Sequence, residues 1–137
     1  MYEIVPKKLW IGNARDGRDA KSLLEAEIPC VVDLAAEEPA AQLPRELMSL
    51  RFPLKDGSGN SVASLRMAVT TVAALMRNDI PVLICCSGGM SRSPAIAAFA
   101  LSLLGGNGST QWLHEISRSK PVDVSPALWN DLQRVLE

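Results

Sequence analysis

The chain has 137 residues, of which 47% are hydrophobic and 21% are charged, and it carries a formal net charge of −1. This length and balance predict one domain over residues 1–137 with a core of its own. The near-zero charge argues against nucleic acid or an anionic membrane as a partner. The longest apolar run is too short to cross a bilayer, and no basic-then-apolar leader opens the sequence. Because the three cysteines, two of them adjacent, form a poor disulfide framework, we expect a cytoplasmic protein, and we expect it to be monomeric.

The first half of the chain alternates short apolar runs with turn residues. This pattern predicts four strands and one helix before residue 55: strands over Tyr2–Val5, Leu9–Ile11, Cys30–Leu34 and Leu50–Leu54, and a helix that Asp19 or a neighbour caps and that runs to about Glu27. The first two strands should form a hairpin at the sheet edge, and the helix should turn Leu23, Leu24 and Ile28 inward. Residues 35–44 are rich in Glu, Ala and Pro, so we expect a surface connection in which Glu37 and Glu38 are solvated.

The second half predicts one central strand and four helices. These elements are a helix capped by Ser61 and ended by Asn78-Asp79, a buried strand beginning at Ile80, and helices over Ala95–Leu104, from Ser109 or Thr110, and from Pro126. Asp33 is expected to be a hydrogen-bonded residue at a strand end, and His114 a structural or surface residue. Strands that alternate with helices predict a single α/β domain, with a mainly parallel sheet of about five strands and helices on both faces.

The stretch Ile80–Pro94, IPVLICCSGGMSRSP, holds the most informative pattern in the sequence. A buried strand leads into small residues that let the backbone approach a ligand, and Pro94 suits the first turn of the helix behind them. A strand, a glycine loop and a helix N-terminus together make a cradle for an anion, since amides converge there and the helix dipole adds positive potential. Cys86 opens this segment and Arg92 closes it, and we refer to it as the 86–92 loop.

A cysteine and an arginine at this spacing can hold a phosphate and attack it. Thiols beside a helix N-terminus and an arginine have a lowered pKa and become nucleophilic thiolates. The guanidinium of Arg92 offers a planar fork that can grip two phosphate oxygens, which a lysine cannot do. The bare spacing is a weak signal, because a buried strand cysteine beside a solvated arginine would also match it. The preceding strand, the glycines and the helix start favour the phosphate site.

The segment CSGGMSRSP resembles the signature loop of the dual-specificity protein phosphatases, a branch of the cysteine-dependent phosphatase superfamily. Four other segments are similar to family counterparts: IVPKKLWIGN, IPCVVDLA, RFPLKDGSGN and ISRSKPVDVSPALWNDLQRVLE. The resemblance therefore spans nearly the whole chain, and it implies a phosphatase that needs no metal and no other cofactor. One departure is plain. The family usually has a histidine before the nucleophile, where this chain has Cys85.

The resemblance implies a role for each residue of the site. Cys86 would be the nucleophile, and Arg92 would hold the phosphoryl group. Asp56 matches the family's general acid on the loop after a strand ending like RFPL, although from the residues alone it is equally a turn residue. The hydroxyl of Ser93 would help the thiolate leave, and it could also cap the helix behind it. The backbone of the residues in between would cradle the phosphate: Ser87, Gly88, Gly89, Met90 and Ser91.

Cys85 is expected to be a small buried filler. A disulfide between Cys85 and Cys86 is opposed by geometry, because adjacent Cα atoms lie about 3.8 Å apart, below the usual disulfide range of about 4.4–6.8 Å. The thiol of Cys85 is also a much weaker hydrogen-bond donor than the family's histidine.

The expected function is the hydrolysis of phosphomonoesters, with phosphotyrosine and phosphoserine or phosphothreonine in proteins as substrates. The loop has no lysine, which disfavours inositol lipids, whereas RNA ends, glycans and other small phosphates stay open. A low-molecular-weight phosphatase or arsenate reductase would place the loop near the N-terminus, and here several predicted strands precede it. The other alternative is a catalytically silent phosphate-binding scaffold. Relatives of that kind generally lose the cysteine or the arginine, and this chain has both.

Overall fold

The computed structural model describes residues 1–137 and contains one five-stranded sheet. Its strands are β1 (Tyr2–Val5), β2 (Leu9–Gly12), β3 (Cys30–Ala35), β4 (Met48–Leu54) and β5 (Val82–Cys85). They lie side by side in the order β1-β2-β5-β3-β4, with β1 antiparallel to β2 and every other pair parallel. The predicted α/β domain with a mainly parallel sheet and an edge hairpin is therefore confirmed.

Five helices and one short 3₁₀ turn connect these strands. The turn spans Asp16–Arg18, and the helices are α1 (Ala20–Glu25), α2 (Val62–Arg77), α3 (Arg92–Leu103), α4 (Ser109–Ser119) and α5 (Pro126–Leu136). The side chains of Asp19 and Ser61 accept hydrogen bonds from the backbone amides of Ser22 and Ser64, so both predicted N-caps are present. None of the helices combines the length and the apolar composition needed to span a bilayer.

The core lies on both faces of the sheet, but unequally. The larger cluster joins the sheet to α2, α3, α4 and α5, and α3 is buried along its length from Arg92 to Leu101. The smaller cluster covers the opposite face with residues that include Leu23 and Ile28. Because successive side chains of a strand point to opposite faces, Ile84 and Cys86 belong to the larger cluster and Cys85 to the smaller one. This alternation fixes the direction of the thiol at the end of β5.

Four element predictions need correction, of which the first is that β4 begins at Met48 rather than at Leu50. Leu24 is 52% exposed rather than inward, because α1 has only six residues and buries a single face through Leu23. The central strand begins at Val82 instead of Ile80. Helix α3 begins at Arg92, three residues before the predicted start, so the arginine lies inside its first turn. Apolar content marks the middle of this helix, but its polar first turn carries no apolar signal.

Candidate active site

Four loops meet at the carboxyl edge of the sheet, where parallel strands of an α/β domain deliver their functional residues. The 86–92 loop leaves β5 at the centre of the sheet. The segments after its neighbours β2 and β3 begin at Asn13 and Ala36, and the segment after β4 carries Asp56. The amide of Ala14 donates to the carbonyl of Ser87 at 3.1 Å, which ties the loop to the segment behind β2. Sheet topology thus gathers residues that lie far apart in the sequence.

The carbonyls and the amides of the 86–92 loop differ in their hydrogen bonding. Four carbonyls accept hydrogen bonds from the protein: those of Ser87, Gly89, Met90 and Ser91. None of the backbone amides from Ser87 to Arg92 donates to any protein atom. Unpaired amides that converge at a helix N-terminus are the arrangement that proteins use to bind anions, and these six amides have that arrangement.

Gly89 is required by the shape of this loop. Its φ of +75° lies in the left-handed region, and a Cβ there would come within 2.8 Å of the Gly12 carbonyl oxygen. Any side chain at this position would strain the backbone and push the loop away from β2. The predicted close approach of small residues is therefore present, although here it is to the protein's own backbone.

Cys86 is 2% exposed and lies at the base of the loop, while the side chain of Cys85 points to the other face of the sheet. A Cβ added at Gly17 would collide with the Cys85 Sγ, so the thiol is packed against the backbone of Gly17. Burial raises the pKa of Cys85 to about 12, with Asp33 adding to the effect. Cys85 is thus an inert, tightly packed thiol, as predicted, and all three cysteines are free.

Arg92 is 3% exposed, and its guanidinium uses three of its five N–H groups inside the protein. Nη1 donates to a Glu37 carboxylate oxygen at 2.6 Å and to the Leu54 carbonyl at 2.9 Å, and Nη2 donates to the other Glu37 oxygen at 2.8 Å. Nε is buried and has no partner. The two N–H groups left over belong to Nε and Nη2, the edge that binds a phosphate with two parallel hydrogen bonds.

The prediction that Glu37 and Glu38 are solvated is confirmed only for Glu37, whose side chain is 56% exposed, and both carboxylates are paired with arginines as well. Hydrogen bonding to Arg92 lowers the pKa of Glu37 from 4.5 to about 2. Glu38 accepts from Arg18 Nη2 at 2.6 Å and from the Ser87 hydroxyl at 2.9 Å, and so it joins the 86–92 loop to the 3₁₀ turn. Their position just after a parallel strand was the signal that could have identified them.

Asp56 lies beside the 86–92 loop. Its Oδ1 accepts from the Ser91 hydroxyl at 2.5 Å, and that hydroxyl in turn accepts from the amide of Ser125 at 2.9 Å. The loop that carries Asp56 is closed by Asn60, whose side chain bonds the Lys55 backbone at both ends, at 2.8 and 3.0 Å. The Ser91 side chain, predicted to matter less than its backbone, thus contacts the candidate acid directly. No sequence pattern singles out Ser91 or Asn60 for these contacts.

Ser93 is fully buried, and its hydroxyl has no hydrogen-bond partner in the protein. The reading of Ser93 as a helix cap is wrong, because α3 begins at Arg92 and its N-cap position is Ser91. Of the three buried side-chain polar atoms that lack a partner, two belong to Arg92 and Ser93, and the third is the indole nitrogen of Trp112. Such groups are rare in native proteins, so this pair marks the loop as a place where another chemical group is accommodated.

The other predicted polar residues lie away from this chemistry. Asp33 is buried and accepts from the Ala35 amide at 3.2 Å, as predicted for a hydrogen-bonded residue near a strand end. His114 is exposed on α4. No three His, Cys, Asp or Glu side chains are grouped in a way that could hold a metal ion.

Comparisons with known proteins agree with this site. A family model described as "Tc-R-P: Polymorphic toxin system, DSP-PTPase phosphatase" matches residues 9–106. Among curated proteins, dual specificity phosphatase 28 of Mus musculus is 26% identical over 132 residues, a match that covers 95% of this chain and 80% of the mouse protein.

Solved structures of phosphatases share the fold. Human DUSP28 has a TM-score of 0.85 at 23% identity, with 98% of this chain and 94% of that chain covered. A mouse structure solved as a complex with zinc tungstate has a TM-score of 0.84 at 24% identity, with 98% and 85% covered. DUSP15 has a TM-score of 0.82 at 20% identity, with 98% and 85% covered. Because the family match spans most of the chain and includes Asp56 and the whole 86–92 loop, the chain belongs to the DSP-PTPase phosphatases, which are cysteine-dependent phosphatases of the dual-specificity family.

Proposed function

We propose that this phosphatase acts through a phosphocysteine intermediate on Cys86, with phosphotyrosine and phosphoserine or phosphothreonine in proteins as its substrates. The observation that carries the proposal is the run of six unpaired amides from Ser87 to Arg92 above a buried thiol. Amides aimed at a phosphoryl group stabilise the charge on its oxygens throughout the transfer, without having to reorganise.

In the first step, the Cys86 thiolate attacks phosphorus, so that an S–P bond forms as the ester P–O bond breaks. The electron pair of that bond goes to the leaving oxygen, and Asp56 donates a proton to it. The Nε and Nη2 edge of Arg92 holds two phosphoryl oxygens meanwhile. The hydrogen bond from Ser91 to Asp56 supports this assignment, since it keeps the carboxyl group at the rim of the loop.

In the second step, water attacks the phosphocysteine. Asp56, now a carboxylate, takes the proton of that water, the S–P bond breaks with its electron pair returning to sulfur, and inorganic phosphate leaves. The hydroxyl of Ser93 is proposed to stabilise the departing thiolate. The absence of any other partner for this buried hydroxyl supports that role.

The side chains of the 86–92 loop favour protein substrates. Between the cysteine and the arginine they are serine, glycine and methionine only, and Met90 is 42% exposed at the rim. The loop therefore presents no cation for the additional phosphates of an inositol lipid, whereas an exposed thioether offers an apolar contact to a peptide side chain. A panel of phosphotyrosyl, phosphothreonyl, inositide and nucleotide substrates tests this preference, which fails if an inositide gives the highest kcat/KM.

Variants of Cys86 and Arg92 test the loop. Cys86→Ser should lose turnover of p-nitrophenyl phosphate and still bind tungstate, because the amides and Arg92 are intact. Arg92→Lys, which keeps the charge but not the fork, should lower kcat/KM by at least about 10²-fold and weaken tungstate binding. Arg45→Ala, on the exposed connection before β4, is the matched control. Appreciable turnover by Cys86→Ser would rule out the covalent mechanism, and loss of its tungstate binding would rule out the amide cradle.

The role of Asp56 is tested by the leaving group. Asp56→Asn should slow the hydrolysis of alkyl phosphates by about 10²- to 10⁴-fold, the usual scale for loss of a general acid. The loss should be much smaller for aryl phosphates whose leaving groups need no proton. Asp79→Asn, an exposed carboxylate at the end of α2, is the control. Equal losses for both classes of substrate, or no loss for either, would place the acid elsewhere.

The ion pair between Glu37 and Arg92 gives a prediction with a defined pH window. Because the pKa of Glu37 falls from 4.5 to about 2 on folding, its contribution to stability is complete above 4.5 and is lost as the pH drops through about 2. Glu37→Gln should therefore lower the free energy of unfolding at about pH 7 and leave it nearly unchanged at about pH 2. It should also weaken tungstate binding, since the guanidinium loses its orienting partner.

Urea unfolding at both pH values, with Glu46→Gln as the exposed and unpaired control, measures the effect. A destabilisation of Glu37→Gln that is the same at both pH values would show that the ion pair is not its source.

A further inference from the structure

We propose that residues 120–125, between α4 and α5, form a clamp that holds the 86–92 loop in its phosphate-binding shape, with Lys120 as the positioning residue of that clamp. This inference rests on the proposed function of the loop and extends it to a segment outside the loop. The sequence marks residues 121–125 only as an extended connection, and no catalytic pattern points to Lys120.

The clamp binds three consecutive residues of the loop. Lys120 Nζ donates to the Gly89 carbonyl at 2.6 Å, and the amide of Asp123 donates to the Met90 carbonyl at 2.7 Å. The amide of Ser125 donates to the Ser91 hydroxyl at 2.9 Å. Each contact uses an oxygen of the loop and leaves the loop amides unpaired. Because a peptide unit is planar, holding its carbonyl on one side turns the following N–H to the other side.

The strongest of these contacts comes from a buried cation. Lys120 is 5% exposed, and its ammonium group is bonded to the carbonyls of Gly89 and Pro121 and lies 5.5 Å from the centroid of the Tyr2 ring. It takes part in none of the ion pairs of the structure. A buried ammonium without a carboxylate is costly to keep, and a purely structural role would be served by a neutral donor. The unfavourable free energy of burying the ammonium group is offset where an anion binds nearby.

The electrostatics of Lys120 point to that anion. Burial lowers the pKa of Lys120, and Cys86, when it is ionised, acts in the opposite direction. Nζ is itself hydrogen-bonded to the Gly89 carbonyl, three residues after Cys86, so the ammonium charge lies against the loop that holds the candidate nucleophile. A phosphoryl group bound by the loop amides, across the peptide unit whose carbonyl Lys120 holds, would add further negative charge. The position of Lys120 therefore stabilises both the shape of the loop and the charge that develops inside it.

The clamp also reaches the candidate acid. The Ser91 hydroxyl that accepts from Ser125 is the same hydroxyl that donates to Asp56. A shift of residues 120–125 would move the carbonyl of Gly89 and the hydrogen bond to Asp56 together. The clamp thus couples the binding of phosphate to the placement of the proton donor.

Vanadate inhibition of full-length Lys120→Met tests the proposal at a temperature well below its unfolding transition. Methionine keeps the buried stem but removes the donor and the charge. We expect the inhibition constant for vanadate to rise by about 10- to 100-fold, the scale of a lost hydrogen bond from a charged group, with a similar fall in kcat/KM. Lys120→Arg, which keeps the charge and donors, should recover most of both. Lys21→Met, an exposed lysine on α1, is the matched control.

A structural role alone would lower the melting temperature and leave the vanadate constant of the folded enzyme unchanged, and that result overturns the clamp. If Lys120→Met does not fold, the inhibition constants of Lys120→Gln and Lys120→Arg for vanadate are compared instead. Weak inhibition of the glutamine variant together with strong inhibition of the arginine variant supports the clamp, and equal inhibition constants overturn it. The wild-type protein distinguishes a failure of the proposed function from a failure of the clamp. Failure of the wild type to bind vanadate and turn over contradicts the proposed function, whereas a normal wild type with a normal Lys120→Met variant contradicts only the clamp.

Discussion

The site depends on an asymmetry in the 86–92 loop: four of its carbonyls are paired with the protein, while its amides from Ser87 to Arg92 are not. In an isolated loop, the amides would form hydrogen bonds with nearby carbonyls of the same loop, and they would then be unavailable to a ligand. Here the carbonyls are bonded from outside the loop, by Ala14, Lys120 and Asp123. Gly89, in its left-handed conformation against Gly12, completes the shape. The fold thus keeps the donors free for a ligand that brings its own negative charge.

The side chain of Arg92 is likewise bonded to the protein on one edge and unpaired on the other. A buried guanidinium needs partners, and the carboxylate of Glu37 with the carbonyl of Leu54 provides them for three of its five N–H groups. The remaining edge is aligned by those contacts and needs no ordering when an oxyanion arrives. Because Leu54 precedes the acid loop and Glu37 follows β3, the orientation of this one side chain reports on three loops at the carboxyl edge of the sheet.

Much of this arrangement could be predicted from the sequence, because it rests on local patterns. Alternating strands and helices predicted the sheet, and the strand, glycines and helix start around Cys86 predicted the cradle. Residues that act through one long-range contact had no such pattern. Glu37 lies in a connection whose composition indicates only solvent exposure, Lys120 borders another connection, and no pattern marks the side chain of Ser91. Their partners are 55, 31 and 35 residues away in the chain. Cys85 is a residue that the sequence singled out but could not explain. The sequence revealed the departure from the family's histidine, and only the structure shows that this thiol is buried and packed against the backbone of Gly17.

The central claim is that Cys86 carries the phosphoryl group between two steps, and direct trapping of that intermediate tests it best. Asp56→Asn should be mixed rapidly with an aryl phosphate, quenched in acid and analysed by intact and peptide mass spectrometry. With a good leaving group, the first step needs no acid, whereas the second lacks its base, so the intermediate should accumulate. We expect one added phosphoryl group on the peptide that contains Cys86, and none in Cys86→Ser. Full turnover with no modified cysteine at any quench time, or modification of Cys85 instead, would contradict it.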